Sequence, residues 1–243
     1  MQTFNSASGV HISHAEGVLT FTLDAPQNGN EVSGAMMDAM LAALEEVACT
    51  PAIRVLRLRA NGPVFCTGRE RAGRDATSIH AEVARLLALK QALRTTTLIT
   101  IAEVQGDAFG FGMGLAMLCD FTLVASSARL AFPEMRKGLP PAAIMAYLGN
   151  YGLPKAVFPL VLLAREFAPA RALAAGLITE VCAPQDLVSH ASALSASILE
   201  LDAVGARDCK SFFLEAAESS VAQNFLRAND ALTLSTLRLQ AKS

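Results

Sequence analysis

An excess of charge of either sign is missing from this 243-residue chain: charged side chains make up 17% of it and the net charge is -2. That balance excludes the polybasic surface of a nucleic-acid binder and the composition of a disordered acidic tail. No apolar run approaches the roughly 20 residues of a membrane span, and no basic-then-apolar leader pattern opens the sequence. The expectation is a soluble, cytoplasmic protein with no nucleic-acid or membrane partner. Paired cysteines are missing too. Cys49, Cys66, Cys119, Cys182 and Cys209 are odd in number and widely separated, with neither metal-ligand nor redox spacing between any two. His11, His14, His80 and His190 form no HExxH and accompany no nucleophile elbow, which speaks against a zinc site or a catalytic triad.

What is present is apolar bulk, 52% of the residues, enough for a sizeable core in one folding unit plus a tail. A small molecule or a second copy of the chain is the expected partner. Residues 18–23 alternate threonine with apolar side chains and end in Asp24-Ala25-Pro26, a half-buried strand with its exit turn. Ser33 can cap a helix whose apolar face runs through Met36, Met37, Met40, Leu41, Leu44 and Val47. Further on, 53–58 reads as a strand, 62–68 as a loop, 80–93 as a helix, 98–104 as a strand, 112–118 as a short buried helix and 121–125 as a strand. The alternation indicates an α/β fold. From residue 153 the pattern turns helical, over 155–164, 169–175, 185–199 and 204–239, the last broken near Ser219-Ser220.

Three glycines at every second position, Gly110, Gly112 and Gly114, open the short apolar helix. A loop that brings bare N–H groups against a ligand oxygen, just before a helix N-terminus, uses glycine for close approach and unusual torsions. Glycine also serves tight packing of a buried helix on a sheet, and the pattern by itself supports both readings. A nucleotide loop is disfavoured, because there is no P-loop lysine and the spacing is not the dinucleotide fingerprint. A second small-residue loop, Cys66-Thr67-Gly68, also follows an apolar stretch, so two loops can supply one N–H each.

The run Phe65-Cys66-Thr67-Gly68-Arg69-Glu70 and the glycine segment 106–112 resemble the two signatures of the crotonase, or enoyl-CoA hydratase/isomerase, superfamily. The resemblance continues in order through Asn30-Glu31-Val32-Ser33, Cys119-Asp120, Phe132-Pro133-Glu134, Gly138-Leu139-Pro140, Ala170-Arg171-Ala172-Leu173 and Gly176-Leu177-Ile178. It implies a core of strand-strand-helix turns over 1–180, then a helical oligomerisation region over 181–243, forming a homotrimer or a dimer of trimers.

By the same resemblance, the substrate is an acyl-CoA thioester, with coenzyme A entering only as part of it and no separate cofactor. The thioester oxygen would sit between the backbone N–H groups of Arg69 and Phe111, with Val64, Cys66, Gly68 and Gly110 lining the site. Lys210 falls where relatives carry a lysine that approaches the CoA phosphates; an exposed helical lysine is the alternative. Arg69 would meet a CoA phosphate or reach solvent, and Phe111 would narrow the pocket or turn into the core. Glu134 is the catalytic candidate, against the alternative of a solvated acid paired with Arg136 or Lys137. Gly114 stands where relatives carry a second glutamate, a vacant acid position, and Gly114→Glu is expected to raise hydration. Glu70 is expected to support its loop and Asp120 to order nearby backbone. The implied activity is hydration of an enoyl-CoA. Double-bond isomerisation, or acyl-CoA binding without turnover, is the alternative.

Overall fold

The computed structural model describes residues 2–4 and 9–241. Its strands are β1 (Gln2–Phe4), β2 (Val10–Ala15), β3 (Val18–Leu23), β4 (Val55–Ala60), β5 (Val64–Cys66), β6 (Ile99–Val104), β7 (Asp107–Phe109), β8 (Phe121–Ala125), β9 (Leu130–Ala131) and β10 (Glu180–Cys182). Its α-helices are α1 (Gly34–Ala48), α2 (Ala76–Thr95), α3 (Phe111–Ala116), α4 (Ala142–Leu148), α5 (Pro154–Leu162), α6 (Pro169–Ala174), α7 (Leu187–Glu200), α8 (Ala203–Ala217) and α9 (Val221–Gln240).

Two sheets share the chain by turns. The larger has the order β1-β2-β3-β4-β6-β8-β10, antiparallel from β1 to β3 and parallel beyond, and the smaller is β5-β7-β9, parallel throughout. Each of β4, β6 and β8 lies in the large sheet and the strand after it in the small one, so the chain climbs as a spiral of two strands and a helix. Period-two alternation divides the large sheet between two cores. Leu56, Leu58, Ala102 and Val104 face α1, α2 and α3, while Val55, Ile101 and Leu123 face α7 through Leu187, Ala191 and Ile198. The boundary expected after residue 180 therefore falls inside β10, and α7 belongs to the core that it covers.

Local chemistry accounts for the differences from expectation. α2 starts four residues earlier than its apolar stripe suggests, because Asp75 Oδ1 accepts from the N–H groups of Thr77 and Ser78, both at 2.9 Å, a side-chain N-cap. β5 lies inside the expected loop at 62–68, and β7, β9 and β10 are two or three residues long, below the length at which alternation shows. The terminal pattern does break at Ser219-Ser220, where Ser220 caps α9. α8 and α9 expose large apolar side chains, among them Phe213 at 75% and Phe225 at 74%.

Candidate active site

The loop after β5 is braced from all sides. Asn30, fully buried at φ 55°, accepts from Ala25 N at 2.8 Å and donates to the carbonyls of Asn61 (2.9 Å) and Val64 (2.7 Å). Gln105 Nε2 donates to the Val64 carbonyl too, at 3.1 Å. Gly68 O accepts from Val32 N at 3.2 Å and from the Cys66 thiol at 3.2 Å. Burial pushes that thiol up to about 12, so Cys66 is a protonated brace. Glu70, expected to hold the loop, is exposed; Glu82 of α2 does so instead, pairing with Arg69 and accepting from Gly73 N at 2.9 Å. The Arg69 guanidinium thus turns to Glu82 of α2, not to open solvent.

The glycines of the second loop serve three different ends. Gly110 adopts φ 50°, and a Cβ there would lie 2.6 Å from Glu134 Oε1. A Cβ at Gly112 would lie 2.3 Å from the Cys66 carbonyl oxygen, so the first turn of α3 sits directly on the end of β5. One at Gly114 would meet Lys90 Nζ at 2.7 Å and Tyr147 Oη at 2.8 Å. The acid position that the sequence suggests is vacant is therefore occupied from α2 and α4. Flanking amides are engaged, Thr67 with Gly29 O, Glu70 with Val32 O and Gly110 with Ala131 O. Neither the Arg69 nor the Phe111 N–H takes part in the turn, loop and cap bonds among the described residues, and Phe111 opens α3, where an N–H has no intrahelical acceptor. The Phe111 side chain turns into the core.

Glu134 lies on the 3-10 turn Pro133–Lys137, aimed at Gly110. Its Oε2 is buried with no hydrogen-bond partner among the described residues. Burial raises its carboxyl above the ordinary range, against the pull of its own amide and the charges of Lys90, Arg71 and Lys137. Lys90 and Tyr147 were not singled out in the sequence. Lys90 is only 4% exposed; its Nζ donates to Tyr147 Oη at 2.7 Å and lies 5.3 Å from the centroid of the Phe111 ring. Tyr147 Oη in turn donates to Gly114 O at 2.8 Å. Burial drives Lys90 down to about 7, with Glu134 and Cys66 opposing the shift, and burial raises the Tyr147 phenol.

Lys210 is no exposed helical lysine. Its Nζ reaches Asp120 Oδ2 and Leu98 O, both at 2.7 Å, which leaves one of its three N–H donors free of these bonds. Asp120 Oδ2 also accepts from Thr100 N at 2.7 Å and Thr100 Oγ1 at 2.8 Å, so Asp120 orders backbone as expected.

Comparison with known proteins gives this geometry its context. A family model described as enoyl-CoA hydratase/isomerase matches residues 13–241. "Probable enoyl-CoA hydratase echA8" of Mycobacterium bovis is 30% identical over 207 residues, covering 84% of this chain and 80% of that protein. "Enoyl-CoA isomerase/hydratase fer4" of Mycosarcoma maydis is 34% identical over 140 residues, 52% of this chain and 51% of the other. Among solved structures, an enoyl-CoA hydratase of Mycobacterium smegmatis superposes with a TM-score of 0.89 at 25% identity, covering 93% and 90% of the two chains. A Thermobifida fusca YX protein described as "a putative enoyl-CoA hydratase", solved in complex with CoA, gives 0.85 at 26% identity, covering 98% and 96%. The α/β spiral is that of the crotonase superfamily, and the chain belongs to the enoyl-CoA hydratase/isomerase family.

Proposed function

We propose that the protein adds water across the double bond of an enoyl-CoA, through an enolate held by the N–H groups of Arg69 and Phe111. The observation that carries this reading is the meeting of a carboxylate and an amide on one short segment: Glu134 Oε1 abuts Gly110, and the next residue's N–H opens α3. When water bonds to the β-carbon, charge moves to the thioester oxygen. Preorganised donors stabilise such charge, each contributing about 10²–10³ in rate. Glu134 acts as the base that takes a proton from water; a carboxyl with a raised pKa is suited to hold that proton. Gly112, pressed on Cys66, keeps the two amide-bearing loops in fixed relation. The CoA-bound Thermobifida fusca relative supports a CoA thioester as substrate. This route uses no cofactor beyond that CoA. The exposed apolar faces of α8 and α9 suit a trimer or a dimer of trimers, and the setting we propose is cytoplasmic.

A second reading, double-bond isomerisation, is favoured by Gly114: with no side chain there, Glu134 would take a proton from one carbon and return it to another. Assay of the purified protein with crotonyl-CoA, 3-enoyl-CoAs and branched 2-enoyl-CoAs in deuterated water, read by mass and NMR, separates these readings. Gain of water is expected. Bond migration or exchange without water gain would replace hydration by isomerisation, and CoA binding with no turnover would leave a binding protein.

A further inference from the structure

Lys90 is a buried cation with no hydrogen-bonded carboxylate among the described residues. Among the described residues its one hydrogen-bond acceptor is Tyr147 Oη, already oriented by donating to Gly114 O. An ammonium carries three donors, and leaving them unmatched in an apolar interior is costly. A packing lysine would be replaced at lower cost by methionine. The position of Lys90 supplies the reason for its presence. Glu134 Oε1 lies against Gly110 and Lys90 Nζ against Gly114, at 2.6 and 2.7 Å from the respective Cβ sites. These residues are joined by the hydrogen bond Gly114 N to Gly110 O, so they stand at the two ends of the first turn of α3. The Phe111 ring is beside Lys90, and its N–H belongs to the same turn. Carboxylate and amine thus approach the same turn of α3, near enough to interact through space.

We propose that Lys90 is the second proton carrier of this site, facing Glu134 across the first turn of α3, an inference that rests on the enolate reading above. As the oxygen of water bonds to the β-carbon, Glu134 carboxylate takes the water proton and the π electrons of the double bond move to the thioester oxygen. The enolate then collapses, and the α-carbon takes a proton from the Lys90 ammonium, leaving a neutral amine. Transfer of the proton from Glu134 to that amine restores both groups, and the net change is addition of one water. Tyr147 is a positioning residue, since its hydroxyl accepts from Nζ and anchors it to Gly114. A lysine titrating near neutrality suits this duty. The groups that face it are Glu134 from the 3-10 turn, Cys66 from β5 and Tyr147 from α4, with Arg71 and Lys137 acting on Glu134.

The test compares pH profiles of wild type, Lys90→Met and Tyr147→Phe on the same thioester panel. Wild-type rate is expected to fall as pH rises through about 7. Lys90→Met is expected to lower kcat by about 10²-fold or more with KM unchanged, to abolish that basic limb, and to move the acid limb upward because Glu134 loses a neighbouring positive charge. Lys90→Ala regains rate with added methylamine, which a structural role would not permit. If Lys90→Met fails to fold, Tyr147→Phe decides: loss of an acceptor for the ammonium moves the basic limb to lower pH, and an unmoved limb overturns the proposal. Wild-type turnover with an unaltered Lys90→Met profile overturns the role of Lys90 alone. Silence of wild type across the panel, with CoA bound, overturns the hydration reading and this role with it.

Discussion

Lys90 and Lys210 are both buried helical lysines of one chain, 4% and 9% exposed, yet they are held in opposite ways. Lys210 meets a carboxylate and a backbone carbonyl. Lys90 meets one phenol and the ring of Phe111, with its carboxylate neighbour Glu134 interacting through space. Burial alone therefore does not make a lysine chemical. The partner differs: a hydrogen-bonded carboxylate ties Lys210 to the strand ends as a structural link, whereas Lys90 has none among the described residues and burial drives it down to about 7.

Five substitutions sharpen or break that contrast. Glu134→Ala has the largest expected effect, a loss of roughly 10²–10⁴ in kcat with thioester affinity nearly unchanged, measured by steady-state kinetics and calorimetry; full residual activity would remove Glu134 from the chemistry. Lys210→Met should leave Asp120 partly buried without its cation and lower stability by about 3 kcal/mol, seen in denaturant unfolding. Lys90→Met should do the reverse. The unfolded lysine titrates near 10.5 and the folded one near 7, so between those values the unfolded chain holds more protons and wild-type stability rises with pH. The penalty is full below about 7 and gone above about 10.5. Replacing Lys90 should thus stabilise the fold by roughly 2–4 kcal/mol at pH 6 and by little at high pH, and equal gains at both would refute the assignment. Gly114→Ala should cost about 1–3 kcal/mol through overpacking, since its Cβ meets Lys90 and Tyr147. For the same reason Gly114→Glu should not raise hydration, contrary to expectation from the sequence, and a gain in a folded variant would show that Lys90 can yield the space.

The resemblance pointed to Arg69, Phe111 and the glycines through two motifs, and to Glu134 through the segment Phe132-Pro133-Glu134, because each such run follows a set backbone path. Lys90 was not legible in this way, since it comes from a helix that carries neither motif. A signal did exist: position 90 falls four residues after Leu86 and three before Leu93, on the buried stripe of α2, where a charged residue calls for an explanation. Tyr147 lies on α4, seven residues long, too short for periodicity to expose. Lys210 was visible but not its direction, which depends on Asp120 at 90 residues' separation. The small strands were lost to their length, whereas the spiral itself followed from the ordered resemblance.

The Lys210 contacts also bear on the order in which the chain assembles. The bond from Lys210 to Leu98 closes 112 residues, and long closures carry a larger entropic cost than local ones. Its receptor is nearer in sequence: Asp120 and Thr100, 20 residues apart, join the ends of adjacent parallel strands β6 and β8. On that count the carboxylate's local partners close a shorter loop than the lysine does, and α8 is expected to dock late, as a latch on the strand pair.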